Sequence, residues 1–156
     1  INMALEALAH NTALWATFFA WLLEQVIKLP VDYLLTRKVH WHLLLSPGGM
    51  PSSHSALVAS TAFTVGLQEG FNTGVFALAF TVAMIVIYDA TGVRRAAGDN
   101  ARVLNRMVDD LIAHGHPLRE SQLREVLGHT PREVFAGTLF GILVGGFCFW
   151  LLRAVI

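Results

Sequence analysis

Long apolar stretches broken by short polar ones set the pattern of this chain. Residues 12–23 carry no charge, and with their flanks they approach the roughly 20 residues a membrane-crossing helix needs. Lys28, Pro30 and Asp32 follow. A proline inside a helix removes a backbone hydrogen bond, so a stop or a kink is expected there. Residues 31–47 mix Arg37, Lys38, His40 and His42 with Tyr33 and Trp41, aromatic types favoured at a membrane–water boundary. That mixture predicts an interfacial helix or a partly buried re-entrant segment. A second span is predicted over 53–67 and a third over 74–88. The turn between them is short, so the two should pack antiparallel, with Gly66, Gly74 and the alanines allowing close approach.

Residues 89–132 differ in character, holding seven arginines and six acids. Within them, Val103, Leu104, Met107, Val108, Leu111 and Ile112 recur at helical spacing over 100–113. This predicts an amphipathic helix lying on the membrane or across the bundle mouth. A further short helix is expected over 118–127. The last span covers 133–156 and is uncharged between Glu133 and Arg153. Gly137, Gly141 and Gly145 stand four apart along it, forming one smooth ridge for helix packing. The expected fold is therefore all-α: one membrane-embedded domain over 1–156, with about four transmembrane helices plus interfacial ones.

Composition agrees and narrows the function. Of 156 residues, 54% are hydrophobic and only 14% charged, with a mean hydropathy of +0.55, whereas soluble domains carry roughly 25% charge. Zero formal net charge gives no electrostatic basis for binding nucleic acid. The single cysteine, Cys148, excludes an intrachain disulfide and any cysteine-based metal site. No secretory signal of the usual form is expected, since the first residues lack a basic region. No metal is expected either. His40 and His42 are two apart and do not share a helical face, and His114 and His116 flank a glycine in a turn. Ten of the eleven Lys and Arg lie in 28–47 or 89–132. Four spans put both segments on one side, which the positive-inside rule makes cytoplasmic.

Two stretches carry candidate chemistry. Gly48-Gly49-Met50-Pro51-Ser52-Ser53-His54-Ser55 is a turn-forming loop leading into the apolar run from Ala56. Serine is a preferred helix N-cap, so the loop delivers the start of a buried helix. Such an end presents unpaired N–H donors that suit a phosphate, and His54 in its first turn can move protons. Taken alone, the same residues are a loop and a cap. The second stretch, Gly128-His129-Thr130-Pro131-Arg132-Glu133, again places a histidine at a helix start, with Pro131 suited to the first helical position. Glu133, four residues on, can reach back to the ring and fix one imidazole nitrogen, the requirement for a nucleophilic histidine. Thr130 and Glu133 equally fit a capping box. Lys28 ends another helix on the same side, and Arg94 and Arg95 follow the third span there, after Asp89. The economical use of two histidines, a carboxylate and fixed cations at one membrane face is phosphoryl transfer.

These residues carry a resemblance. The chain is similar to the type-2 phosphatidic acid phosphatase superfamily, the membrane lipid phosphatases related to vanadium haloperoxidases, and in particular to its short, divergent bacterial and plastid branch. The superfamily's Pro-Ser-Gly-His motif stands here as Pro51-Ser52-Ser53-His54. Its His-x-x-x-Asp-Val-x-x-Gly-x-x-x-Gly motif stands as His129, Glu133-Val134, Gly137 and Gly141. The divergent branch's own Gly-Gly-Met-Pro-Ser-Ser-His-Ser and Tyr-Asp-Ala-x-Gly-Val-Arg-Arg occupy 48–55 and 88–95. Two features depart from the wider superfamily. The first motif, Lys-x6-Arg-Pro, survives only as Lys28, with Arg37 out of register. The Ser-Arg pair expected before the nucleophile is replaced by Gln122-Leu123.

The resemblance implies a cofactor-free, metal-independent phosphomonoesterase working through a phosphohistidine. His129 would be the nucleophile, Glu133 its orienting carboxylate, and His54 the general acid and base. Lys28, Ser52, Ser53, Arg94 and Arg95 would hold the phosphate, with Asp89 and Arg124 in support. The expected substrate is a phospholipid phosphate, phosphatidylglycerophosphate first and phosphatidic acid second. The expected setting is a bacterial plasma membrane or a plastid membrane, among membrane lipids, with the active site facing the cytoplasm. Four spans enclose little interior, and a homodimer would complete it. The alternative is a non-catalytic membrane subunit of the same fold that binds an anionic lipid or a partner protein.

Overall fold

The structure, a computed structural model, describes residues 2–44, 48–114 and 128–155. Among them the chain is helical throughout: α1 (Asn2–Ala9), α2 (Thr12–Thr36), α3 (Ser53–Glu69), α4 (Gly74–Thr91), α5 (Val93–Ala113) and α6 (Pro131–Val155), with a 3₁₀ turn at Trp41–Leu44. The short α3 is the axis. It packs against α2, α4 and α6 and buries Ser53, Ser55, Ala56, Val58, Ala59, Ser60, Ala62, Thr64 and Gly66.

The interior is built from small residues and the exterior from large ones. Ala16, Ala20, Ala56, Ala59 and Ala62 are buried, while Phe135, Leu139, Leu143, Phe147 and Trp150 stand exposed in a stripe along α6. A water-soluble bundle would bury that stripe. In lipid, apolar side chains gain nothing by turning inward, and close backbone packing through small residues holds helices together. Three helical stretches are long and apolar enough to cross a membrane: Thr12–Thr36, Gly74–Ala113 and Pro131–Arg153. The remaining predicted span, α3, has 17 residues, about 25 Å at the α-helical rise. Its sheath of neighbours relieves it of the need for a lipid-facing apolar surface, which is why Ser60, Thr61 and Thr64 are tolerated along it.

Three expectations need correction. The apolar segment does not stop at Lys28 or Pro30: α2 runs through Pro30 to Thr36. Proline forfeits only the hydrogen bond to the carbonyl four residues back, and the turns on either side hold. The helix ends instead at Arg37, in the left-handed region at φ 58°, whose N–H donates to the Tyr33 carbonyl. Residues 31–36 therefore belong to α2 rather than to a separate interfacial helix. Finally, Gly74 is not a packing glycine; a side chain there would meet open space. The first apolar stretch is divided at His10-Asn11, between α1 and α2. The break follows from Asn11 capping α2 by accepting from the Leu14 N–H at 3.0 Å.

The amphipathic helix forms and starts earlier than expected, at Val93. Its apolar residues Val103, Leu104, Met107 and Leu111 remain exposed. The predicted helix at 118–127 lies outside the described residues.

Candidate active site at the joined helix starts

The ridge on α6 fixes the geometry of everything above it. A β-carbon at Gly137 would overlap the Ser52 carbonyl oxygen, one at Gly141 the Ala56 carbonyl oxygen, and one at Gly145 would crowd Ser60 and Thr64. These pairs advance together along both chains, so α3 and α6 run parallel in backbone contact, with their N-termini at the same end. The first-turn N–H groups of two helices, and two partial positive charges, are thereby pooled in one place. The starts are also tied directly, since the Ser52 N–H donates to the Glu133 carbonyl at 3.0 Å.

Each start is capped by the residues the sequence proposed. The loop turns through Gly49, at φ 98°, and a cis Met50–Pro51 peptide to bring Ser52 to the N-cap of α3. There its buried hydroxyl accepts from the Ser55 N–H at 3.4 Å and from the Ser55 hydroxyl at 3.1 Å. At α6 the capping box forms: the Glu133 N–H donates to Thr130 Oγ1 at 3.4 Å, and the Thr130 N–H donates to Glu133 Oε2 at 3.1 Å. The same Oε2 lies 3.1 Å from His129 Nδ1. Capping and histidine orientation were posed as alternatives; one oxygen does both. A carboxylate only accepts, so Nδ1 carries a proton, and in the neutral ring the lone pair is left on Nε2.

His129 is 4% exposed, and its N–H donates to the Ala90 carbonyl near the end of α4 at 3.1 Å. That contact brings the end of α4 to the site as a third element; Asp89, half-buried, precedes Ala90 in that helix. His54, in the first turn of α3, faces His129 with ring centroids 5.8 Å apart and planes inclined at 62°. The fourth element is α2, which contributes Lys28, 1% exposed. Its ammonium donates to Ser53 Oγ at 2.8 Å and to Gln25 Oε1 at 2.7 Å.

Histidines 54 and 129, Glu133, Lys28, Ser52 and Ser53 thus gather where α2, α3, α4 and α6 meet. Arg94 and Arg95 lie in the first turn of α5, directly after α4; their side chains, and the whole of Arg124, lie outside the described residues. Sequence reasoning overlooked Glu24 and Gln25. Glu24 is fully buried and 3.4 Å from the Lys28 ammonium. Its spacing of four from Lys28 in an otherwise apolar helix was the available signal. His40, set aside as a metal ligand, pairs with Asp32 at 2.8 Å. Among the described residues no group of three or more His, Cys, Asp or Glu side chains could hold a metal ion. A cavity of about 310 Å³ opens at the opposite end of α3, lined by His10, Asn11, Gln68 and Glu69 and by none of the candidate residues.

Comparison with known proteins places the chain in a family. The profile described as "Divergent PAP2 family" matches residues 9–144. An "Uncharacterized membrane protein YuiD" of Bacillus subtilis (strain 168) is 42% identical, over 88% of this chain and 93% of that protein. No solved structure matches.

Proposed function

This chain belongs to the divergent PAP2 family, and from that premise we propose that it is a membrane lipid phosphate phosphatase. The observation carrying the proposal is the pair of imidazoles at the joined helix starts, 5.8 Å apart, one of them held through Nδ1 by a carboxylate. In the proposed reaction His129 Nε2 attacks phosphorus. The P–N bond forms as the P–O bond to the lipid alcohol breaks, and protonated His54 gives its proton to the departing oxygen. Neutral His54 then takes a proton from water, whose oxygen attacks the phosphohistidine and frees phosphate. Glu133 holds the ring in the tautomer that attacks and steadies the positive charge it acquires. Lys28 and the first-turn N–H groups of α3 counter the charge growing on the phosphoryl oxygens, with Arg94 and Arg95 assigned the same task.

The distribution of Lys and Arg supports a cytoplasmic mouth. α2 ends, α3 and α6 begin and α4 ends at one face, and only Arg153 lies at the far end of α6. A phospholipid phosphate made on that face is the proposed substrate, phosphatidylglycerophosphate ahead of phosphatidic acid. The test is phosphate release by purified protein in lipid nanodiscs across a panel of phosphorylated lipids. Activity is expected on phosphomonoester lipids without added metal. Failure with every substrate would favour the non-catalytic subunit.

A further inference from the structure

Beyond the residues assigned to the reaction, α2 buries a charge that the mechanism does not use. Glu24 is 0% exposed, inside a membrane-crossing helix, and among the described residues no donor makes a well-aligned hydrogen bond to either carboxylate oxygen. Lys28 Nζ stands 3.4 Å away, beyond the 2.7–2.9 Å usual for a charge-assisted hydrogen bond. Two short bonds of the ammonium go to neutral acceptors, Gln25 Oε1 at 2.7 Å and Ser53 Oγ at 2.8 Å. Glu24 therefore supplies charge rather than bonding geometry. Asp32, one turn further along α2, is engaged by His40. A buried carboxylate without well-aligned donors is expensive, and a well-packed apolar residue would be cheaper. Its cost makes sense where the neighbouring cation must be kept charged and in place before an anion arrives.

We propose that Glu24 is a positioning residue: it holds the Lys28 ammonium at the cap of α3 in the empty site and, by its own negative charge, weakens the grip of that site on the phosphate product. The proposal rests on the phosphatase function above. When phosphate occupies the site, the ammonium serves two anions instead of one, and their mutual repulsion in a poorly screened interior favours release. A carboxylate that merely filled space would leave product affinity unchanged or, on removal, loosen the site.

The experiment measures inhibition by inorganic phosphate, together with kcat and KM, for wild type and Glu24→Gln in nanodiscs. Phosphate is expected to inhibit the variant about tenfold more tightly, with kcat and KM both lowered as product release slows. Phosphate binding that is unchanged or weaker overturns the inference while leaving the phosphatase function standing. A wild type that neither hydrolyses lipid phosphates nor binds phosphate overturns both. Should Glu24→Gln fail to fold, Glu24→Asp carries the same test. It retains the charge but withdraws it from Lys28, and should tighten phosphate binding by a smaller factor; affinity at or below wild type again overturns the inference.

Discussion

The two ends of α3 are built on opposite principles. At its start Ser52, Ser53, Ser55, Glu24, Lys28 and His129 are all buried, and the polar atoms of all but Glu24 are knit across three helices and a loop. At its finish the turn into α4 is closed by rings: Phe63 on Phe71, Phe71 on Phe76 at 5.0 Å between centroids, and Phe76 on Phe80. Gly66 leaves room for Phe71, whose ring a β-carbon there would strike. Aromatic packing of this kind is stabilising and tolerant of small shifts. Buried polar networks hold together only while every member is present. The contrast teaches where to look for function: the end that is costly to build is the one arranged for chemistry.

Substitutions can break that contrast in graded steps. His129→Ala should abolish phosphate release while the protein still inserts and folds; retained activity would remove His129 as nucleophile. Glu133→Gln should lower kcat by roughly 10²–10⁴-fold, since the ring loses its orienting charge, and a near-normal kcat would reduce Glu133 to a cap. Gly141→Val should destabilise by about 1–3 kcal/mol through overpacking, read as a lower melting temperature in detergent, and should cut activity by forcing α3 and α6 apart. If only the melting temperature falls, the glycine ridge does not set the histidine spacing. Smallest is Phe71→Ala at the closed end. It should cost about 1 kcal/mol, because the ring is half exposed and contributes mainly its aromatic pairs, and it should leave KM unchanged.

Much of the fold could be read from the chain because its signals are local. Apolar length marked α2, α4 and α6, the Pro-Ser-Ser cap marked the start of α3, and four-residue glycine spacing marked the α6 ridge. The candidate pair His54 and His129 was legible too, since each imidazole follows turn chemistry at a helix start. What escaped depended on neighbours distant in sequence. The passage of α2 through Pro30 is decided by how its flanking turns pack, not by the proline. The idle role of Gly74 is set by the open space around it. Glu24 is, in sequence, only an acid interrupting an apolar run; its burial beside Lys28 is a product of the fold. The backbone contact between α3 and α6 shows only when Gly137 and Gly141 are seen against Ser52 and Ala56.

Glu133 Oε2 closes the first turn of α6 and steadies the buried imidazole at the same time. Fraying of that turn and misalignment of the ring are therefore one event, not two. A replacement that removes this oxygen altogether loosens the reactive group and the turn beneath it together, so folding would restrain drift at this position even in a lineage that had given up the chemistry.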